Sequence, residues 1–152
     1  MLENVIEDSD FASLMRKNIE DLIIHFFKRE QNFGILCKIE NVSFNPELPD
    51  SINADFRPLT LFFLAGYTFE TAQIKDDTLV FEAGFGSENY GSIVSVPLLS
   101  IMQIIIDETP VLINLSTYTE KKKVVKKDSA KGVENSMASF LSNPENSKFI
   151  KK

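Results

Sequence analysis

Histidine, cysteine and paired carboxylates supply most catalytic and metal-binding chemistry, and this chain holds few of them in usable arrangements. His25 is the only histidine and Cys37 the only cysteine. A histidine-bearing triad or a multi-histidine metal site would therefore rest on one residue. His25 falls among Ile24, Phe26 and Phe27 in a helical pattern and reads as a structural residue. Cys37 falls in an apolar, extended stretch with no basic cluster to favour its thiolate, and so reads as a packed thiol. A single cysteine also excludes an intramolecular disulfide framework. The pairs Asp76-Asp77 and Asp107-Glu108 fall in predicted turns, where acids are common for backbone reasons. No GxxxxGK[ST] or GxGxxG phosphate loop is present, and Gly84 and Gly86 join two predicted strands rather than a strand and a helix. The expectation is no enzyme, no metal and no cofactor.

Binding features are better represented. In Gly84-Phe85-Gly86 the glycines bare the backbone at the end of an alternating stretch, which permits close approach of another chain, although a tight hairpin is the simpler reading. At the far end, Lys148-Phe149-Ile150-Lys151-Lys152 places two apolar residues between lysines. It reads either as a solvated terminus or as a short docking peptide.

The elements that would carry these features follow from periodicity. Phe11, Leu14, Met15, Ile19, Leu22, Ile23, Phe26 and Phe27 recur at three- and four-residue steps, predicting a helix over 11–27 with Ser9 or Asp10 as its cap and Gly34 past its end. Its broad stripe means deep burial or, alternatively, service to both its own core and a partner subunit. Residues 35–42 read as a strand, 45–55 as a loop or irregular edge segment, and Leu59–Leu64 as a short strand buried on both faces. An extended piece covers 67–74. Residues 78–85 alternate cleanly, 86–92 form a loop, and 93–96 resume a strand. After Pro97 the residues Leu98, Ile101, Met102 and Ile105 share a helical face, although Ile104-Ile105-Ile106 leaves a strand open. A last extended segment covers 111–115.

Charge divides the chain further. Residues 1–119 carry 18 acidic and 7 basic side chains, a balance of −11, whereas 120–152 carry 9 lysines and 4 acids, a balance of +5. An acidic body repels nucleic-acid phosphates. No apolar run approaches a membrane span, and the acidic start (Glu3, Glu7, Asp8, Asp10) does not suit a signal peptide. These features predict a soluble, cytoplasmic chain without nucleic-acid or membrane partners. They divide it into a folded domain over 1–118 and a basic, flexible tail over 119–152, within which 136–141 could form a helical turn.

The stretch Asp77-Thr78-Leu79-Val80-Phe81-Glu82-Ala83-Gly84-Phe85-Gly86, followed by Val94-Ser95-Val96-Pro97-Leu98, resembles the centre of the stringent starvation protein B family, bacterial adaptors for the ClpXP protease. The similarity of pattern extends over about residues 11–115. It implies an α+β fold: an N-terminal helix on a small, strongly bent antiparallel β-barrel related to Sm-like folds, with a short helix after Pro97. It also implies a homodimer through the helix (Phe11, Leu14, Met15, Leu22, Phe26). A groove for an extended peptide would be bordered by Phe85, Gly86, Val94, Ser95, Val96 and Pro97. A tail ending in Phe149, Ile150 and Lys151 would dock on the ClpX N-terminal domain. Ser87 stands where the family has a second glycine, and Ser92 and Ile93 stand where an arginine is expected, which leaves a different peptide signal or cargo protein open. A holdase-type chaperone and a small-molecule-binding regulatory barrel are the alternatives.

Overall fold

In the computed structural model, which describes residues 1–119, the N-terminal periodicity becomes a long helix. A short α1 (Leu2–Ile6) leads into α2 (Ser9–Lys28). The cap is Asp8, one residue ahead of the expected pair, whose carboxylate accepts the Phe11 N–H at 2.9 Å. The helix stops well before Gly34. Glu30 adopts a left-handed φ of 55°, and the N–H groups of Glu30 and Gln31 turn back onto the carbonyls of Phe27 and Phe26, a Schellman closure.

The chain then alternates between two antiparallel sheets. Strands β1 (Phe33–Lys38), β2 (Ser43–Asn45), β3 (Leu59–Leu64) and β4 (Gln73–Lys75) are followed by the paired β5 (Thr78–Phe85) and β6 (Tyr90–Pro97) and by β7 (Ile101–Ile106) and β8 (Thr109–Ile113). One sheet has the order β3-β1-β7-β8 and the other β2-β6-β5-β4. The chain crosses between the sheets four times, at the 3-10 turns Ile39–Asn41 after β1 and Leu98–Ser100 after β6 and in the links from β2 to β3 and from β3 to β4. Residues 1–117 form one compact unit.

Four expectations need correction. The fold is α+β, but the strands do not close into a barrel. The edge strands β2 and β4 are three residues long, and no ladder joins either to the other sheet. No helix follows Pro97. After one 3-10 turn the chain enters β7, where the β-branched run Ile104–Ile106 and the full burial of Ile101 and Ile104 favour a strand. Residues 67–74 are not continuously extended but contain a helical turn α4 (Tyr67–Glu70), and residues 45–55 contain another, α3 (Asp50–Asn53). Finally, β3 is buried on one face only. Phe62 and Leu64 point inward while Leu59, Leu61 and Phe63 are exposed.

The core is shared by the inner faces of both sheets and by α2. Ile19, Ile23 and Phe26 of the helix meet Phe33, Ile35 and Cys37 of β1 and Leu79, Phe81, Val94 and Val96 of the β5–β6 hairpin. Phe62 links the layers through edge-on contacts with Phe81 and Phe85, with ring centroids 5.8 and 6.4 Å apart. Asn114 is buried and satisfied: its amide donates to the carbonyls of Leu99 and Ile101 and accepts the Ser116 N–H, pinning the end of β8. No helix among the described residues is long and apolar enough to cross a membrane.

Candidate peptide-binding cleft

The β5–β6 hairpin forms because period-two alternation puts Leu79 and Phe81 on the face shared with Val94 and Val96, all of them fully or almost fully buried. The opposite face carries Glu82, Gly84, Gly91 and Ile93, with Glu82 paired to Ile93 and Gly84 to Gly91. The hairpin turns through Gly86 at a φ of 76° and Asn89 at 53°, closed by the Asn89 N–H donating to the Gly86 carbonyl. Directly opposed glycines leave the outer face without side chains of its own at that level.

An open cleft of about 640 Å³ lies over this face. Its walls come from segments distant in sequence: Asn45 at the end of β2 and Pro46 just after it on one side, Ala65 after β3 and Tyr67 and Thr68 of α4 on the other. Asn89 lies across Gly84, since a Cβ there would sit 1.7 Å from its Oδ1, whereas a Cβ at Gly91 would meet open space. Thr68 Oγ1 accepts the Ala65 N–H at 2.9 Å and holds the β3–α4 turn in place. Tyr67 donates its hydroxyl to Glu82, and that hydrogen bond with the adjacent negative charge pushes the phenol pKa up from its ordinary value. Among the described residues Glu82 is the only carboxylate lining the cleft.

Backbone groups complete it. The ladder between β4 and β5 stops at the Gln73–Val80 pair. Beyond it the Glu82 N–H donates to Thr71 Oγ1 at 3.0 Å. Strand alternation then turns the N–H and C=O of Gly84 to that same side, past the end of β4. A short length of β5 therefore offers the hydrogen-bonding edge of a sheet to an incoming extended chain.

The residues singled out from sequence divide between core and cleft. Val94 and Val96 are fully buried, and Phe85 turns inward against Phe44, Phe56 and Phe62. Their side chains build the hairpin that carries the cleft and do not line it. Gly86 forms the turn, where an added Cβ would press on Ile52 at 3.1 Å, and Ser95 and Pro97 are half-buried along β6. On α2, Phe26 is buried, Phe11, Met15 and Leu22 are half-buried and Leu14 is exposed. Phe149, Ile150, Lys151 and the segment 136–141 lie outside the described residues. Sequence reading missed Asn45, Tyr67, Thr68 and Asn89, which carry no motif and meet only in the fold.

His25 is exposed on α2 beside Phe26. Cys37 is buried, its thiol pushed up to about 12 by desolvation. Among the described residues no group of three or more His, Cys, Asp or Glu could hold a metal ion. No family model matches the chain, and no curated protein or solved structure is significantly similar to it.

Proposed function

We propose that this chain is an adaptor of the stringent starvation protein B type. On this reading it receives an extended peptide signal or a segment of a cargo protein in the cleft over β5 and β6 and delivers it to the ClpXP protease. The observation that carries the reading is the open cleft floored by the opposed Gly84 and Gly91, beside the edge of β5 where its ladder with β4 has ended. Main-chain hydrogen bonds to such an edge bind an extended chain with little regard to sequence, and flanking side chains then select. Here the selecting groups are the amides of Asn45 and Asn89, the apolar Ile93, and the Glu82 carboxylate. A single negative charge in a body with a balance of −11 favours neutral or basic peptides and disfavours acidic ones. The likeness of 77–86 and 94–98 to the adaptor family supports the same function from sequence.

Delivery works by tethering. A cargo held in the cleft is linked covalently to a terminal peptide (Phe149, Ile150, Lys151) that docks on ClpX, so capture by the protease becomes effectively intramolecular. Deleting Lys148–Lys152 will leave the affinity for a cleft-binding decapeptide unchanged and abolish accelerated degradation of a reporter fused to that decapeptide by purified ClpXP. Acceleration that survives the deletion contradicts the tether.

A holdase-type chaperone is the second reading, favoured by the exposed Leu61 and Phe63 on β3. It requires suppression of aggregation of an unfolded client such as reduced lysozyme, which the adaptor reading does not.

A further inference from the structure

The cleft is built of two unlike rows. Strand register sets Asn45 of β2 opposite Ile93 of β6, and Ile93 opposite Glu82 of β5, so an amide, an apolar branch and a carboxylate stand side by side on one outer face. Tyr67 of α4 closes that row, its hydroxyl donating to Glu82. In the next row, about 7 Å along the strands, Gly84 faces Gly91, and only the Asn89 amide intrudes, above Gly84. An incoming side chain therefore finds room over the glycines and a flank of fixed groups beside it. Ile93 and Glu82 lie one strand spacing apart on that flank, about 4.8 Å. A side chain that covers both must be apolar for its first few atoms and polar at its end.

Charge says what that end is. Glu82 is exposed, and the partner of its carboxylate among the described residues is the neutral Tyr67 hydroxyl. No Lys or Arg among them lines the cleft. A carboxylate offers about four acceptor positions, of which one hydroxyl uses one. Tyr67 keeps 63% of its surface exposed, so its ring is open to a cation that approaches Glu82. Lysine would bring only a point charge. Arginine brings a planar fork that matches a carboxylate, a guanidinium that stacks on an aromatic ring, and an apolar stem that lies along apolar surface. We infer that the cleft selects its peptide through one arginine, whose stem lies over Gly91 against Ile93 and whose guanidinium is held between the Glu82 carboxylate and the Tyr67 ring. This rests on the cleft being a peptide site and names the residue that the site reads. It does not depend on delivery to a protease.

Fluorescence anisotropy on the full chain tests this with labelled decapeptides of serine, threonine and alanine whose one central residue is arginine, citrulline, lysine or glutamate. Citrulline keeps the shape of arginine and lacks its charge. The wild-type chain will bind the arginine peptide at least about tenfold more tightly than the citrulline peptide, with lysine between them and glutamate weakest. Glu82→Gln will bind the arginine and citrulline peptides alike, and Tyr67→Leu will bind the arginine and lysine peptides alike. Glu82→Lys will bind the glutamate peptide most tightly. Circular dichroism spectra and cooperative thermal melts will show that the three variants fold. Arginine and citrulline peptides bound alike by the wild-type chain, or an arginine preference that survives Glu82→Gln, overturn the inference and leave the cleft a peptide site. No saturable binding of any of the peptides overturns both.

Discussion

Cys37 shows how the fold decides what a reactive group can do. Its side chain lies in the shared core, and its thiol makes a weak contact to the Thr60 carbonyl at 3.6 Å. Burial raises its pKa from 9.0 to about 12. A group whose folded pKa is raised contributes stability that is complete below its unfolded pKa and is lost as pH climbs toward the folded value. Urea denaturation will therefore show the wild-type chain losing stability relative to Cys37→Ala above about pH 9, by about 2 kcal/mol near pH 11. A gap independent of pH contradicts that assignment. The acids at 107 and 108 make the opposite point: they sit where they do for geometry. Asp107 and Glu108 adopt φ of 51° and 68° in the β7–β8 turn, as Asp76 and Asp77 do in the β4–β5 turn at 53° and 59°. Two consecutive left-handed residues make the hairpin turn whose twist matches the strands, and a side chain there costs energy that glycine does not. Glu108→Gly is expected to stabilise the chain by about 0.5–1 kcal/mol, the left-handed penalty relieved less the added entropy of glycine, measured by thermal or urea denaturation.

Elements were legible in the sequence where one periodicity had no competitor. The alternation of 78–85 could only suit a half-buried strand, and the three-and-four spacing from Phe11 to Phe27 could only suit a helix. Misreadings came where two patterns coincide or where an apolar run does not say what covers it. Leu98, Ile101, Met102 and Ile105 fit a helical face, yet the β-branched residues among them fit β1 better. Leu59–Leu64 looked like a strand covered on both sides because every residue but Thr60 is apolar. Only the assembled sheet shows that three of its side chains have no cover within the described protomer. The aromatic network beneath the cleft was equally invisible, since Phe44, Phe56, Phe62 and Phe85 are spread over four segments. Removing its middle member should weaken the fold more than any surface change. Phe62→Ala is expected to cost about 3–5 kcal/mol in urea denaturation, because the ring is buried and bridges β3 to β5.

At the scale of the molecule, the two sheets present opposite characters outward. One sheet's strands hold no acid and expose apolar side chains outward, and the other sheet carries an open cleft of mixed lining beside the end of the β4–β5 ladder. The glycines that floor the cleft could be picked out in the sequence, but its walls could not, because Asn45 and Tyr67 stand 39 and 17 residues before Gly84 and join it only when β2 and β3 fold alongside. Gly91 gives the sharpest access to the central claim. A Cβ there meets nothing, its φ is not left-handed, and a β-branched residue suits a strand, so Gly91→Val adds bulk to the cleft without disturbing the protein. The decisive measurement is fluorescence anisotropy of a positional library of labelled decapeptides against the full-length chain and its Gly91→Val variant. The account predicts saturable binding of neutral or basic extended peptides by the wild-type chain, weakened at least about tenfold in the variant with no loss of melting temperature. Peptides bound equally well by both proteins, or no saturable binding by the wild-type chain at all, would contradict it.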